Sequence, residues 1–455
     1  MQKKRKYKLT IWQILAIGYF AFIMFGSVLL ILPFATKDGQ HTSYLNALFT
    51  SASAISITGL APYDTGTHWT LYGQLVILTL VQLGGLGFMT FVSVVFQVFH
   101  KGMGLQTRTT VMASFTSSGT SPLNGASTLV KRIIIGTVIC EFLGAALLAI
   151  RFIPQFGVGH GIYRSFWHSI CGFCHAGFDI FGSAEGGAFV SLIPYATDPL
   201  VILTLSFLII MGGLGFCVWG DVIDCRLNWR KFQLNTKVVL VVNAILIVTG
   251  TALFLLFERN NPYYADYNFG EKLLCAFFNA ITPRTAGFAT IPTAKLSESG
   301  YVLTIIFMFI GGSSASTAGG IKVGTFAVII MGMVAAFRGK RDINIGKRRI
   351  ENSLVTQSLA IFTACLLIIF VCTITICTIE PKFTFEKVLF EVVSALTTTG
   401  MSLGITPYLS PASRIILIVL MYAGRVGILT LALALAQKRS AAEIRKPVDT
   451  TLLIG

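Results

Sequence analysis

Charge is what this chain has least of. Only 12% of its 455 residues are charged, against 54% hydrophobic, and its mean hydropathy is +0.76. That balance excludes an ordinary soluble globular protein and points to a polytopic membrane protein. Metal-site and redox signatures are missing too. Most of the nine cysteines lie inside apolar runs, which argues against disulfides or thiolate metal sites. There is no HExxH pattern, and His68, His168 and His175 match no ligand spacing. Acids are nearly absent from the apolar runs, Glu141 apart. A membrane-embedded enzyme built on acid, histidine or serine–base clusters is therefore disfavoured, and Glu141 reads as the buried partner of a polar neighbour. The N-terminus shows no cleavable leader: KKRKYK runs straight into an apolar segment.

What is present is a series of long apolar segments. Eight are expected to cross a bilayer: Ile11–Pro33, Leu71–Val98, Ile133–Ile153, Leu200–Val222, Val238–Phe257, Tyr301–Phe337, Leu354–Ile379 and Ile415–Leu435. Between the members of each pair lies a half-apolar piece of about a dozen residues, too short to cross and suited to entering the membrane and turning back. These are Tyr44–Ile55, Tyr163–Phe173, Phe269–Ala280 and Thr384–Leu396. A glycine follows each piece, in SITGL, CHAGFD, RTAGF and TTTGMS, and the spacings between these glycines are 118, 110 and 113 residues. About 24–35 residues further on a second landmark recurs, as LGGLGF, MGGLGF, IGGSSA and AGRVGI. Recurrence of both landmarks in order predicts four fused copies of helix, re-entrant helix, glycine turn and helix. The expected units are residues 1–100, 101–225, 226–349 and 350–437, with a cytoplasmic tail at 438–455. The expected fold is all-α, around a pseudo-fourfold pore.

The net charge of +16 follows this plan. Basic residues gather before the first span (Lys3–Arg5, Lys8), between copies (Lys101, Arg108, Lys131, Arg132; Arg226, Arg230, Lys231, Lys237; Arg338–Arg349) and at the end (Lys438, Arg439, Arg445, Lys446). Acids such as Asp38, Asp64, Glu185, Glu258 and Glu380 fall in the alternate segments. The positive-inside tendency then places both termini in the cytoplasm. Topology and anionic lipid account for the excess charge, so nucleic acid is not indicated. Because every copy begins and ends inside, the copies are parallel. An inverted-repeat secondary transporter of another small cation is the weaker alternative.

Four glycine turns in register predict a ring of inward-facing carbonyls, which can replace the water around a monovalent cation. The candidate filter residues are Thr58, Gly59, Ala176, Gly177, Ala286, Gly287, Thr399 and Gly400. Below them Tyr301–Phe337 is too long for one span: a continuous helix would measure roughly 55 Å against a bilayer core of about 30 Å. Its middle, Gly311, Gly312, Ser313, Ser314, Ala315, Ser316, Thr317, Ala318, Gly319 and Gly320, is the part least able to stay helical. Non-helical backbone at membrane depth needs protein or a water-filled cavity around it. This loop, with Arg425 in the fourth copy, is the candidate gate. Arg425 is open to a second reading, as an anchor bonding helix-end carbonyls. Lys322 either joins this network or caps the restarted helix. Arg284 is expected to bond the carbonyls of its own turn. Asp64 and Asp179 either enrich cations at the mouth or are solvated loop carboxylates.

Taken together, SITGL, CHAGFD, TPRTAGF and TTTGMS in order resemble the Trk/Ktr/HKT superfamily of K+ transporters. GGSSASTAGGIK and AGRVG resemble its bacterial Ktr branch, with KtrB-type membrane subunits. The resemblance covers nearly the whole chain. It implies K+ uptake, commonly Na+-stimulated, across the bacterial plasma membrane by a homodimer of pore subunits. It also implies a cytosolic octameric KtrA-like ring that binds the nucleotide (ATP or ADP), no cofactor being held by this chain. One departure is His175, where many relatives carry Asn. No run matches the longer TVGYG filter of K+ channels, so fewer well-defined K+ sites are expected.

Overall fold

Helices account for almost all regular structure in the computed structural model. It describes residues 10–37, 42–87, 126–182, 187–340, 342–345 and 348–435. The long helices are α1 (Ile11–Leu30), α4 (Ala126–Phe156), α8 (Leu234–Phe257) and α12 (Asn352–Ile379). Each is followed by a short helix: α2 (Tyr44–Ile55), α5 (Val158–Cys174), α9 (Phe269–Ile281) and α13 (Phe385–Thr397). The remaining helices are α3 (Leu71–Leu86), α6 (Pro199–Leu214), α7 (Phe216–Asp224), α10 (Glu298–Phe309), α11 (Val323–Phe337), α14 (Pro411–Val426) and α15 (Ile428–Leu435). Among the described residues, strand pairing is limited to a hairpin of two-residue strands, Asn344–Ile345 and Arg348–Arg349, in the basic segment after α11, and to the isolated bridges Thr36–Trp69 and Ile310–Ile321. The expected unit boundary near residue 100 and the basic residues of both termini lie outside the described residues.

The short helices start where local chemistry starts them. Ser43 accepts the Asn46 amide, and Asn268 makes a reciprocal capping box with Glu271. They form the dry interior: from Asn46 to Ile55 only Leu48 is not fully buried. The long helices stand outside them with apolar side chains unburied, for example Phe142 and Ile150 on α4 and Leu367, Val371 and Ile374 on α12. So much exposed apolar surface is untenable in water and natural against lipid. Helices pack in a closed circuit: α3 against α5, α6 against α9, α10 against α13, and α14 back against α2.

The expectation of eight spans, seven of them unbroken, is met only in part. Among the described residues four helices are long and apolar enough to cross a bilayer, and a fifth crossing results if α6 and α7 count as one despite their 90° bend. Interruption was expected only within Tyr301–Phe337. Leu200–Val222 and Ile415–Leu435 are also broken, at Gly215 and Gly427, and α3 stops at Gly87. These three glycines have φ of 93°, 91° and 83° with extended ψ, a region that side chains forbid. Leu71–Val98 cannot be followed beyond Gly87, because residues 88–125 lie outside the described set.

The ends of α8 and α12 are each tied to the start of the helix that follows the glycine turn. Glu258, closing α8, accepts the Ser297 amide (3.0 Å) and hydroxyl (2.6 Å) at the start of α10. Glu380, closing α12, accepts the Ser410 amide (2.6 Å) and the Ser413 hydroxyl (3.0 Å) at the start of α14. Burial opposes the charge of Glu380, but the Ser410 and Ser413 hydrogen bonds and the Lys382 ammonium outweigh it and hold its carboxyl below the usual range. The folded-state value is depressed, so this contribution is present above the unfolded value and is lost as pH falls through the folded one. The thermal midpoint is therefore expected to drop as pH is lowered below about 4. Glu380→Gln should be less stable at neutral pH and should show a shallower acid slope in melts of the purified protein. Parallel slopes for the two proteins would refute this.

Candidate functional site

All four short helices end the same way. Two residues before each glycine sits a non-glycine residue in the left-handed region: Ile57 (φ 53°), His175 (62°), Thr285 (74°) and Thr398 (53°). The glycines follow at φ 90°, 66°, 78° and 89°. A left-handed residue with a side chain costs about 1–2 kcal/mol, so four of them need a surrounding structure that holds them in place. Back-bonds to the helix ends help. Thr58, Ala176 and Thr399 amides donate to the Ser53, Cys171 and Ser394 carbonyls at 2.8–2.9 Å, and the third turn uses Ala286 N to Thr282 O at 2.9 Å.

These turns meet. A β-carbon on Gly59 would stand 3.2 Å from Gly177 Cα, one on Gly177 3.1 Å from Gly287 Cα, one on Gly287 3.4 Å from Gly400 Cα, and one on Gly400 3.1 Å from Gly59 Cα. The circuit closes, and each glycine faces the carbonyl of the residue before the next one: Ala176, Ala286, Thr399 and Thr58. Only glycine leaves room there. The structure thus brings all eight residues of the sequence-derived filter set to one place. Four helix C-termini converge on it, each carrying about half a negative charge, which favours a cation at the ring.

Beside it runs the 311–320 segment, non-helical between α10 and α11. Protein groups bond part of its backbone. Ser313 N donates to Gly213 O (3.0 Å), Thr317 N to Gly212 O (3.3 Å), and Ala315 O accepts Phe216 N (2.7 Å). The Thr317 hydroxyl donates to Phe173 O (3.0 Å) at the end of α5, and Gly319 lies against Thr398 in the fourth turn. Arg425 donates to Thr317 O (2.7 Å) and to Gly84 O at the end of α3. It therefore makes the helix-end bonds of the anchor reading and holds the loop at the same time. Lys322 joins the network, donating to Ala318 O at 2.6 Å; no side-chain bond caps α11. A cavity of about 340 Å³ lies below, lined among others by Tyr19, Ser314, Lys322, Arg425 and Gly427.

Other expectations are corrected. Arg284 bonds no carbonyl of its own turn: it donates to Asn243 Oδ1 on α8 and to Gly311 O (3.3 Å), joining the third turn to the loop. Asp64 is not a solvated loop carboxylate. It is buried and accepts the Thr67 and Phe189 amides at 2.7 Å. Asp179 is half-buried and accepts Phe181 N (3.2 Å). Glu141 meets a polar neighbour as expected, accepting from Gln82 Nε2 at 2.9 Å. His68, His168 and His175 each have a hydrogen bond, and no group of three potential metal ligands occurs among the described residues. Asn243 escaped the sequence reading. The one amide side chain in an apolar run that otherwise holds only Thr249 and Thr251 as polar residues, it bonds Val239 O (2.7 Å) as well as Arg284. Its depth in Val238–Phe257 was the only signal available.

Comparisons with known proteins agree with this arrangement. The family described as TrkH, cation transport protein, matches residues 18–445. The chain is 37% identical to the potassium/sodium uptake protein NtpJ of Enterococcus hirae, over 100% of this chain and 99% of that one. It is 38% identical to the Ktr system potassium uptake protein B of Bacillus subtilis (96% and 95% covered) and 37% to that of Vibrio alginolyticus (97% and 94%). The crystal structure of the potassium transporter TrkH from Vibrio parahaemolyticus superposes with a TM-score of 0.72 over 96% of this chain and 87% of that one. Identity there is 18%, so that likeness speaks for the fold alone.

Proposed function

This chain belongs to the TrkH family of cation transport proteins, membrane proteins rather than enzymes, and from that premise we propose that it is the pore-forming subunit of a K+ uptake system. The observation that carries the reading is the closed ring of Gly59, Gly177, Gly287 and Gly400 at the convergence of four helix C-termini. In this reading four pseudo-equivalent copies surround it, with eight crossings in all, the second being broken in copies two, three and four. Carbonyls of Thr58, Ala176, Ala286 and Thr399 replace part of the water around K+, and the helix dipoles offset its desolvation. The 311–320 loop and Arg425 close the path beneath: a cation at membrane depth repels K+, and the loop fills the route.

The relatives named as parts of a Ktr system support partner subunits. We extend this to a homodimer above a cytosolic, nucleotide-binding, KtrA-like ring that meets the basic segment after α11. Na+ acts as an activator in this reading. A second reading, Na+ as additional cargo, is favoured by the potassium/sodium name of the Enterococcus relative. One experiment addresses both. In cells lacking their own K+ transport, expression should restore growth at low K+ and produce Rb+ uptake that Na+ stimulates. Na+ competing for uptake favours the second reading, and no uptake with the partner ring co-expressed would refute the first.

A further inference from the structure

The four turns are braced in two different ways. In the first and fourth, a serine six residues before the glycine accepts the glycine amide: Gly59 N to Ser53 Oγ and Gly400 N to Ser394 Oγ, both 3.0 Å. Hydroxyl pairs tighten the same turns, Ser56 with Thr58 (2.7 Å) and Thr397 with Thr399 (2.9 Å). The corresponding positions in the second and third turns are Cys171 and Ile281, and neither carries a hydroxyl. The third turn has a hydroxyl brace elsewhere, Thr282 donating to Phe288 O at 2.5 Å, and the second and third turns are also tied to each other.

The tie is His175. Its Nδ1 stands 3.1 Å from the Thr285 hydroxyl, and its Nε2 2.7 Å from Ile209 O on α6. A carbonyl only accepts, so Nε2 carries the hydrogen and Nδ1 accepts from Thr285. Both residues are buried and both are the left-handed residue of their turn, so one side-chain bond sets the distance between two strained turns. At the same position Ile57 has no polar atom, and the Thr398 hydroxyl has no partner among the described residues. The imidazole also packs on Gly213, where a β-carbon would stand 3.1 Å from its Cε1, and Gly213 O holds Ser313 of the loop.

Resting on the reading of the glycine ring as a K+ filter, we propose that His175 is a specificity-determining positioning residue. Its Thr285 and Ile209 bonds hold the second and third turns at the spacing that prefers K+ over Na+. It touches no ion, and acts through Thr285 and α6. The histidine thus adds, by a long-range bond, a brace to two turns that lack the serine of the other two.

Rb+ uptake with and without competing Na+, per folded molecule counted by fluorescence-detected gel filtration, tests this on the full-length protein with its partner ring. Thr285→Val keeps the shape and removes the hydroxyl, and His175→Leu removes both bonds. Each should lower the K+ over Na+ preference about tenfold, and the double variant should be no worse than the worse single one. Thr285→Ser should retain the wild-type ratio. A wild-type ratio in Thr285→Val, or multiplying effects in the double variant, overturns the proposal even where His175→Leu fails to fold. Absence of uptake by the wild type overturns instead the filter reading on which it rests.

Discussion

Gly400→Ala should cut Rb+ uptake at least about tenfold and erase whatever cation preference remains, while Gly404→Ala, four residues on, should leave both near wild type. The two glycines both have positive φ, 89° and 82°. Each substitution therefore carries left-handed strain of about 1–2 kcal/mol. They differ in surroundings. A β-carbon at Gly400 would collide with the Thr58 carbonyl across the ring, whereas one at Gly404 has nothing within 4 Å. Forcing a methyl into packed structure adds about 1–3 kcal/mol or displaces the neighbour, and here the neighbour is a proposed K+ ligand. The pair separates strain from filter damage in a single assay. Equal uptake by the two variants would refute a role for the ring in conduction.

Arg425→Ala is expected to raise uptake several-fold per folded molecule with the K+ over Na+ preference unchanged. The substitution removes the bonds to Thr317 O and Gly84 O together with a charge beside the 340 Å³ cavity, and leaves the ring untouched. It also strips a partner from a helix-end carbonyl, which costs about 1–3 kcal/mol where that group stays dry, so the amount of folded protein should fall as well. Normalising uptake to folded protein distinguishes the gate from the anchor. Arg425→Lys keeps the charge but lacks the fork that spans two carbonyls. If charge closes the path, Lys resembles the wild type; if tethering of the loop does, Lys resembles Ala. Deleting Ser314–Ser316 should open the path by the other route. Unchanged flux per folded molecule in both Arg425→Ala and the deletion would eliminate the gate.

Much of the helix plan was readable before any coordinates. Tyr44–Ile55 was bounded as found, and Phe269–Ala280 and Thr384–Leu396 missed by one residue at most at each end. The signals there are local: a capping Ser or Asn, an apolar dozen and a glycine after it. Breaks were harder to read. Gly-Gly in a membrane helix can mean close packing or an interruption, and here it means both. Gly84 and Gly212 lie against the Ile55 and Phe173 carbonyls at the ends of short helices, while the breaks come later, at Gly87 and Gly215. Bond partners were hardest. Arg284 lies next to its turn in sequence, yet it reaches Asn243 and Gly311, because its own turn is already satisfied by back-bonds to α9.

By itself, then, the sequence determined a membrane-embedded helical chain, the existence and order of the four glycine turns, and a polar interruption where a helix would be too long. Each follows from hydropathy, length and glycine content, which act over a few turns of chain. Only the tertiary structure decided that Arg425 grips both the loop and the end of α3, that Asp64 is a buried cap, and that His175 meets Thr285 across 110 residues. Those outcomes depend on which polar groups remain unpaired once the helices pack. In a dry interior an unpaired group costs more than a long side chain loses by reaching for a distant partner.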